Sequence, residues 1–393
     1  MPDFHAYLAG IQAAIPRPTP EQVQARQGQD PGLLVLDIRD REELALGSVP
    51  GAQWLGRSFL EARIGKLAPS ADVPIVLYCA GGVRSVLAAA SLAAMGYTRV
   101  ESLAGGFERW RATGLPVAVQ RVLTDAQMAR YSRHVLLPEV GQAGQIRLLD
   151  AKVLLVGAGG LGSPVALYLA AAGVGTIGIV DPDVVDASNL QRQVLHTEER
   201  VGKSKVESAV QTLRALNSAV RVIPHAAWFD RSNALELLAD YDLVVDGCDN
   251  FATRYLANDA CFLQKKPLVY AAIFRFDGQV GVFRPGVQGP CYRCLYPEPP
   301  PPEIAPNCAE AGVLGVLPGI VGTAQALEAL KLILGIGQPL VGRLLVMDTL
   351  NSHYRELKTR RDPDCPLCGD HPTLEGLQDY EEVCAAAPTS HGR

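Results

Sequence analysis

"AKVLLVGAGGLGSPVALYLAAAGVGTIGIVDPD", residues 151–183, is the stretch that decides the fold. Between Val153 and Val180 there is no charge over 28 residues, long enough to cross a bilayer. Seven glycines and Pro164 cut that run into short pieces, which fits a buried strand–helix–strand unit better than a lipid-facing helix. The pattern predicts a strand over 152–156 running into Gly157-Ala158-Gly159-Gly160-Leu161-Gly162. Ser163 and Pro164 suit an N-cap and first turn, the helix ends near Gly173, and a second strand ends at Asp181. A glycine turn that follows a strand, opens a helix and has an acid 19 positions after its last glycine is a phosphate cradle. Gly157, Gly159, Gly160 and Gly162 let the backbone approach phosphates, and the helix N-terminus supplies unpaired N–H groups. Either a dinucleotide or ATP would fit. The bland alternative is a tight turn with no ligand.

The residues downstream separate these ligands. "DPDVVDASNLQRQVLH" (181–196) and "VGKSKVESAVQTLRALN" (201–217) place Asn189, Arg192, Gln193, Lys203 and Lys205 just beyond the second strand. A nicotinamide dehydrogenase needs an acid there for ribose but no cationic cluster after it. A triphosphate does need one, because charge builds up as pyrophosphate leaves. Each basic residue alone reads as a solvated side chain; together behind a glycine turn they read as a phosphate site. Lys205 falls in the first turn of a helix whose apolar stripe is Val206, Ala209, Val210, Leu213 and Leu216.

At 393 residues, 48% hydrophobic and 20% charged, the chain has room for two cored domains. A net charge of -5 offers no general attraction to nucleic acid or an anionic membrane. "MPDFHAYLAGIQ" has neither the basic start nor the apolar core of a signal peptide, so the expected location is the cytoplasm. The composition changes near residue 120. Before it, "LLVLDI" (33–38) and "PIVLYC" (74–79) read as short buried strands, with a helix near 84–95 and a capping box at Thr19–Gln22. A second capping box, Thr124–Gln127, opens the second part, whose later strands are expected at 242–247, 267–272 and 342–348. The expected division is 1–121, 122–370 and a polar tail, 371–393.

Nine cysteines in a reducing compartment point to metal or thiol chemistry rather than a disulfide framework. Cys291-x-x-Cys294 and Cys365-x-x-Cys368 together make a four-thiolate Zn²⁺ site, closed and therefore structural, across an intervening stretch of 70 residues. Two disulfides are the bland alternative. Cys79, in "LYCAGGVRS", ends a strand before a glycine turn and a helix. Converging loop N–H groups, the helix dipole and Arg84 would lower its pKa and stabilise a persulfide anion; otherwise it is a small buried hydrophobe. Cys308, beyond a run of prolines, has no CxxC partner and stays open between a working thiol and a spare one. Cys248, Cys261 and Cys384 read as core or tail residues.

"GAGGLGSPVALYLAAAGVG", "SNLQRQVLH", "KVESA" and "DGCDN" resemble the MoeB/ThiF family, bacterial relatives of ubiquitin-activating enzymes, over about 125–369. "CAGGVRS", "LDIRDREELALGSVPGA" and "AGGFERWRATGLPV" resemble rhodaneses over about 18–118. The implied fold is a small rhodanese-like α/β domain followed by a Rossmann-like ThiF/MoeB adenylating domain with a zinc clip. The first resemblance implies adenylation of the C-terminal glycine of a ubiquitin-like sulfur carrier. Asp181 would bind the ribose, Arg192 and Lys205 the phosphates with Asn189 in support, and Asp249 Mg²⁺ and the reacting carboxylate. Arg133, in "ARYSRH", would reach the partner's ATP across a homodimer, and Cys308 would bond the carrier's C-terminus or resolve such a bond. The second implies a Cys79 persulfide, loaded by a cysteine desulfurase or thiosulfate, that yields a carrier thiocarboxylate. Molybdenum cofactor biosynthesis is the expected pathway, and carriers for thiamine, cysteine or tRNA thiolation fit the same motifs. A tRNA-modifying dehydratase, an NAD-dependent oxidoreductase and a non-enzymatic scaffold are the rival readings. Two departures stand out: Ser48 replaces the histidine common in "GHIPGA", and the rhodanese segment precedes the adenylating one.

Overall fold

The computed structural model describes residues 3–118, 122–286, 289–298 and 312–378. Its contacts divide the chain into two compact units, Met1–Leu123 and Thr124–Arg393. In the first, four parallel strands lie in the order β2-β1-β3-β4: β1 Leu34–Asp37, β2 Gln53–Trp54, β3 Ile75–Tyr78 and β4 Val100–Ser102. Alternation along the strands sends side chains to two separate cores. Leu36, Ile75 and Leu77 pack with helices Leu60–Leu67 and Val83–Ala94. Val35, Val76 and Tyr78 pack with Pro20–Gln29 and Gly106–Ala112. The Thr19 capping box forms as expected.

The LDIRD segment carries a fully buried ion pair. Arg39 donates from Nε and Nη2 to the Asp37 carboxylate at 2.9 and 2.6 Å, and Tyr78 Oη donates to the same group at 2.6 Å. The guanidinium also lies 4.0 Å from the Phe107 ring centroid. Removing one partner of such a pair leaves a buried charge uncompensated. Arg39→Leu is therefore expected to destabilise this unit by about 3 kcal/mol or more, read as a lower urea midpoint. Ser48 bridges to Ala118 through both backbone bonds, 2.7 and 2.9 Å, and is buried, so it serves the fold.

The second unit is an eight-stranded sheet ordered β12-β11-β10-β9-β8-β5-β6-β7. Its strands are β5 Lys152–Val156, β6 Thr176–Val180, β7 Arg221–His225, β8 Leu243–Asp246, β9 Leu268–Phe274, β10 Asp277–Phe283, β11 Arg343–Asp348 and β12 His353–Lys358. β7 through β9 are parallel, and β9 through β12 antiparallel. The charge-free stretch is β5, helix Gly162–Ala172 and β6, closed by Gly173 in the left-handed region. The helix begins two residues earlier than expected, so Ser163 is not the cap; its Oγ donates instead to Gly159 O at 2.7 Å. One described helix, Leu317–Leu334, is long and apolar enough to cross a membrane, and it packs in the core against helix Gly162–Ala172 and the sheet. Chain order reverses between β5 and β8, which opens a crevice at their carboxyl ends, where ligands bind such sheets. Leu374 and Leu377, in the stretch expected to be a weakly structured tail, pack beside the cysteine cluster and into the second core.

Candidate functional site

The glycine turn sits in that crevice. Gly157 takes φ +97° and donates its N–H to Val180 O at 2.8 Å. A Cβ on Gly162 would collide with the Gly157 carbonyl, so this close approach of helix to strand demands glycine. Gly159 and Gly160 lie beside two candidate site residues: the atoms nearest to added Cβ groups include Gln193 Nε2 at 3.7 Å and Arg192 Cγ at 3.6 Å. Asp181, buried at the end of β6, accepts N–H bonds from Ala158 at 2.8 Å and Asp183 at 2.9 Å. The acid is thereby locked against the turn.

The basic cluster is partly brought to the turn. Arg192 donates to Asn189 Oδ1 at 2.8 Å, and Gln193 is buried with its Oε1 unpartnered among the described residues. An orphaned buried acceptor beside a glycine cradle fits a ligand that brings its own donors. Lys205 opens helix Lys205–Leu216, and its Nζ is bound to Asp183 Oδ2 at 2.8 Å. Of the predicted stripe, Val206, Ala209 and Leu213 are fully buried, Val210 is half-buried and Leu216 is exposed. Asp249 is exposed on the turn after β8, whose Gly247 packs on Gly157. A single exposed carboxylate beside a phosphate cradle suits Mg²⁺, which binds through few carboxylates plus substrate oxygens. Lys203 is exposed, and Arg133 is exposed on the short helix Ser132–Val135. Cys308 lies outside the described residues.

One contributor escaped the sequence reading. His196, the last residue of SNLQRQVLH, is buried, with Nε2 2.9 Å from Ala158 O and Nδ1 2.9 Å from Ser208 Oγ. Burial holds its pKa below the usual histidine value, and the neutral tautomer with the proton on Nε2 satisfies both contacts. Its motif position was the only available signal.

In the first unit Cys79 Sγ is buried and accepts the Gly82 N–H at 3.1 Å, with Ser85 Oγ at 3.5 Å. Gly82 is left-handed and caps helix Val83–Ala94. Arg84 differs from expectation. Its guanidinium pairs with Glu43 at 2.8 Å through two nitrogens and with Asp40 at 3.0 Å, because two carboxylates offer it a matching fork. The Glu43 hydrogen bonds raise the Arg84 pKa, and in turn lower that of Glu43. Gly106, at φ +59°, lies against the Cys79 and Ala80 carbonyls with no room for a Cβ, while Phe107 and Glu108 N–H groups bind those carbonyls at 2.8 and 3.0 Å. The AGGFERW segment is thus the brace of the thiol loop.

The four clip cysteines converge, with all ligand atoms within 4.8 Å of one another. Sγ separations of 3.2 Å for Cys294–Cys368, 3.6 Å for Cys291–Cys365 and 3.8 Å for Cys291–Cys294 approach the roughly 3.8 Å edge of a tetrahedral zinc–thiolate site. The same sulfurs are too far apart for disulfides.

A doubly wound sheet with a glycine turn, a locked acid and a basic cluster at its switch point defines a nucleotide-binding, adenylating class of protein. The chain belongs to the ThiF family, which it matches over residues 131–367, and residues 19–113 match the rhodanese-like domain. A sulfur carrier protein adenylyltransferase of Thermus thermophilus is 56% identical over 66% of this chain and 98% of that protein. The mouse adenylyltransferase and sulfurtransferase MOCS3 is 52% identical over 71% of this chain and 60% of its own length. A probable adenylyltransferase/sulfurtransferase, MoeZ of Mycobacterium tuberculosis, is 52% identical over 70% of this chain and 69% of its own. Among solved structures, E. coli MccB with ATP matches at a TM-score of 0.53 and 25% identity, over 63% of this chain and 76% of that one.

Proposed function

We propose that this chain adenylates the C-terminal glycine of a ubiquitin-like sulfur carrier and supplies the sulfur that displaces AMP. The observation that carries the reading is the joining, in one chain, of a cradle with a locked acid to a braced thiol loop. In the nucleotide site Asp181 would hold the ribose hydroxyls, and the turn's N–H groups, Arg192 and Lys205 the phosphates. Asn189 would steady Arg192, and Gln193 would accept a hydrogen bond from the ligand. Lys205 would have to leave Asp183, or share it, as phosphate arrives. Asp249 would take Mg²⁺ and orient the carboxylate, which attacks the α-phosphorus as pyrophosphate leaves. Arg133 would complete the site of the second copy in a homodimer.

Sulfur arrives when the Cys79 thiolate attacks the sulfane sulfur of thiosulfate, releasing sulfite, or of a desulfurase persulfide, releasing its thiolate. The terminal sulfur of the Cys79 persulfide then attacks the acyl-adenylate carbon and expels AMP, leaving an acyl disulfide. A second thiol breaks that S–S bond and forms a disulfide with Cys79, which frees the thiocarboxylate; Cys308 is the candidate in this chain. The Gly82 N–H and the helix N-terminus would stabilise the anionic persulfide, with Arg84 contributing once its carboxylates are displaced. Zn²⁺ on Cys291, Cys294, Cys365 and Cys368 would be structural. The enzyme would work in the cytoplasm, in molybdenum cofactor biosynthesis, on a protein carrier rather than on nucleic acid or a membrane.

Carrier-dependent ATP–pyrophosphate exchange tests the adenylation half. Arg192→Ala and Asp249→Ala are each expected to lower it by roughly a hundredfold or more, as removal of a charge-stabilising group does. Exchange that persists in both variants would refute the assignment. For the whole reaction, a carrier incubated with enzyme, ATP and thiosulfate should gain about 16 Da, the mass difference of sulfur over oxygen, while one oxygen goes to AMP.

A further inference from the structure

We propose that Arg254 and Gln325 are positioning residues for adenylation, acting with Asp246 to hold the Gly247–Asn250 turn that presents Asp249. The proposal rests on the adenylation reading and deepens it. Asp246 ends β8 with no exposed surface. One carboxylate oxygen accepts the Cys248 N–H at 3.0 Å, and the other accepts Arg254 Nε–H at 3.1 Å. Arg254 reaches back from helix Phe251–Leu263, and its Nη2 donates to Cys248 O at 3.2 Å and Ala271 O at 3.4 Å. Gln325, in the middle of the apolar helix Leu317–Leu334, donates from Nε2 to Asp246 O at 2.7 Å and Val269 O at 3.1 Å. The rest of the turn is also fixed: Gly247 N–H bonds Val156 O at 2.8 Å, and Asn250 Oδ1 accepts Thr253 N–H at 2.8 Å.

The carbonyl held by Arg254 belongs to the peptide that joins Cys248 to Asp249. Rotation of that peptide would swing the Asp249 side chain, and the bonds on either side of Cys248 oppose it. The arrangement is costly for a core. Arg254 is 6% exposed, Gln325 fully buried, and Gln325 Oε1 has no hydrogen-bond partner among the described residues. Apolar side chains in place of the whole set, Asp246 included, would often hold the fold as well. What they could not do is fix the backbone on which the one exposed carboxylate of the turn is mounted.

The test uses the full chain, Arg254→Lys and Gln325→Met, with Glu328→Gln as a control on the same helix. Glu328 accepts Leu340 N–H at 2.8 Å and pairs with Lys331. Mn²⁺ binding to the protein with α,β-methylene-ATP is read by electron paramagnetic resonance, beside exchange kinetics and thermal midpoints. Both clamp variants are expected to bind metal-free analogue as the wild type does, to bind Mn²⁺ more weakly, and to lose about tenfold to a hundredfold in exchange kcat. Glu328→Gln should lose stability without either change. In an Asp249→Asn background, Gln325→Met should add no further loss, since it acts through the missing carboxylate. Independent, multiplying losses would overturn the proposal, as would unchanged Mn²⁺ affinity or equal losses in Glu328→Gln. Should Arg254→Lys not fold, Gln325→Met alone decides. A failure of the adenylation reading shows separately, as absence of exchange in the wild type, and the Mn²⁺ measurement still decides the clamp.

Discussion

Cys79→Ala is expected to leave carrier-dependent pyrophosphate exchange at the wild-type rate and to reduce sulfur transfer to background. The reason lies in how few demands the fold makes on this sulfur. Cys79 Sγ accepts one backbone N–H, from Gly82, lies 3.5 Å from Ser85 Oγ, and belongs to the apolar core that includes Leu77, Val86 and Ala89. Its backbone carbonyl, which anchors Phe107, survives the substitution. Alanine therefore removes a nucleophile and about one methylene's worth of contact, on the order of 1 kcal/mol. The residues proposed for adenylation, the glycine turn, Arg192, Lys205 and Asp249, all belong to the second unit. Two readouts separate the steps: radiolabelled pyrophosphate exchange for activation, and the carrier's mass for sulfur delivery. Loss of exchange along with sulfur transfer would contradict the division of labour between the two units. Retained sulfur transfer would mean that another thiol carries the sulfur.

What the sequence revealed follows from how each group was constrained. β5, β6 and β8 were readable because both of their faces are covered, so they appear as unbroken apolar runs. β12, HYRELK, was not, because all six residues are exposed and only its pairing with β11 makes it a strand. β7 carries Pro224, tolerated because β7 is an edge strand. The same contrast holds at the site. Asp181, Arg192 and Lys205 stood out as candidates because an acid at the end of the second strand and cations soon after it lie close together in sequence behind the glycine turn. Arg254 and Gln325 hold backbone carbonyls instead, and Gln325 meets Asp246 across 79 positions, so no charge pattern marks them, while His196 had only its place in SNLQRQVLH. Arg84 was recognised but its partners were not, since Glu43 lies 41 residues away.

Replacing Cys365 with alanine is expected to release zinc and destabilise the second unit by about 4 kcal/mol, the size of a cross-link that closes a long loop. The clip ties helix Tyr292–Leu295 to the chain beyond β12, and the 70 residues between the two CxxC pairs include β11 and β12. Without metal, four thiolates within 4.8 Å repel one another, and the small apolar cluster of Leu367, Phe262 and Leu374 is left to hold the junction. The buried Arg293–Asp259 pair at 2.8 Å hangs from the same short helix, and Asn258 Oδ1 fixes Tyr292 N–H at 2.8 Å. Loosening there spreads into the tyrosine cluster of Tyr255, Tyr270 and Tyr292. The main sheet keeps its own cores, so the outcome is a lower melting midpoint, by about 10 °C, rather than a chain that cannot fold. Native mass spectrometry should find one zinc per wild-type chain and none in Cys365→Ala. A wild-type chain that holds no zinc, or a variant that melts with it, would remove the metal from the account and leave the four sulfurs as a reduced cluster. The fold predicts otherwise, because nothing else among the described residues joins these two distant segments with comparable strength.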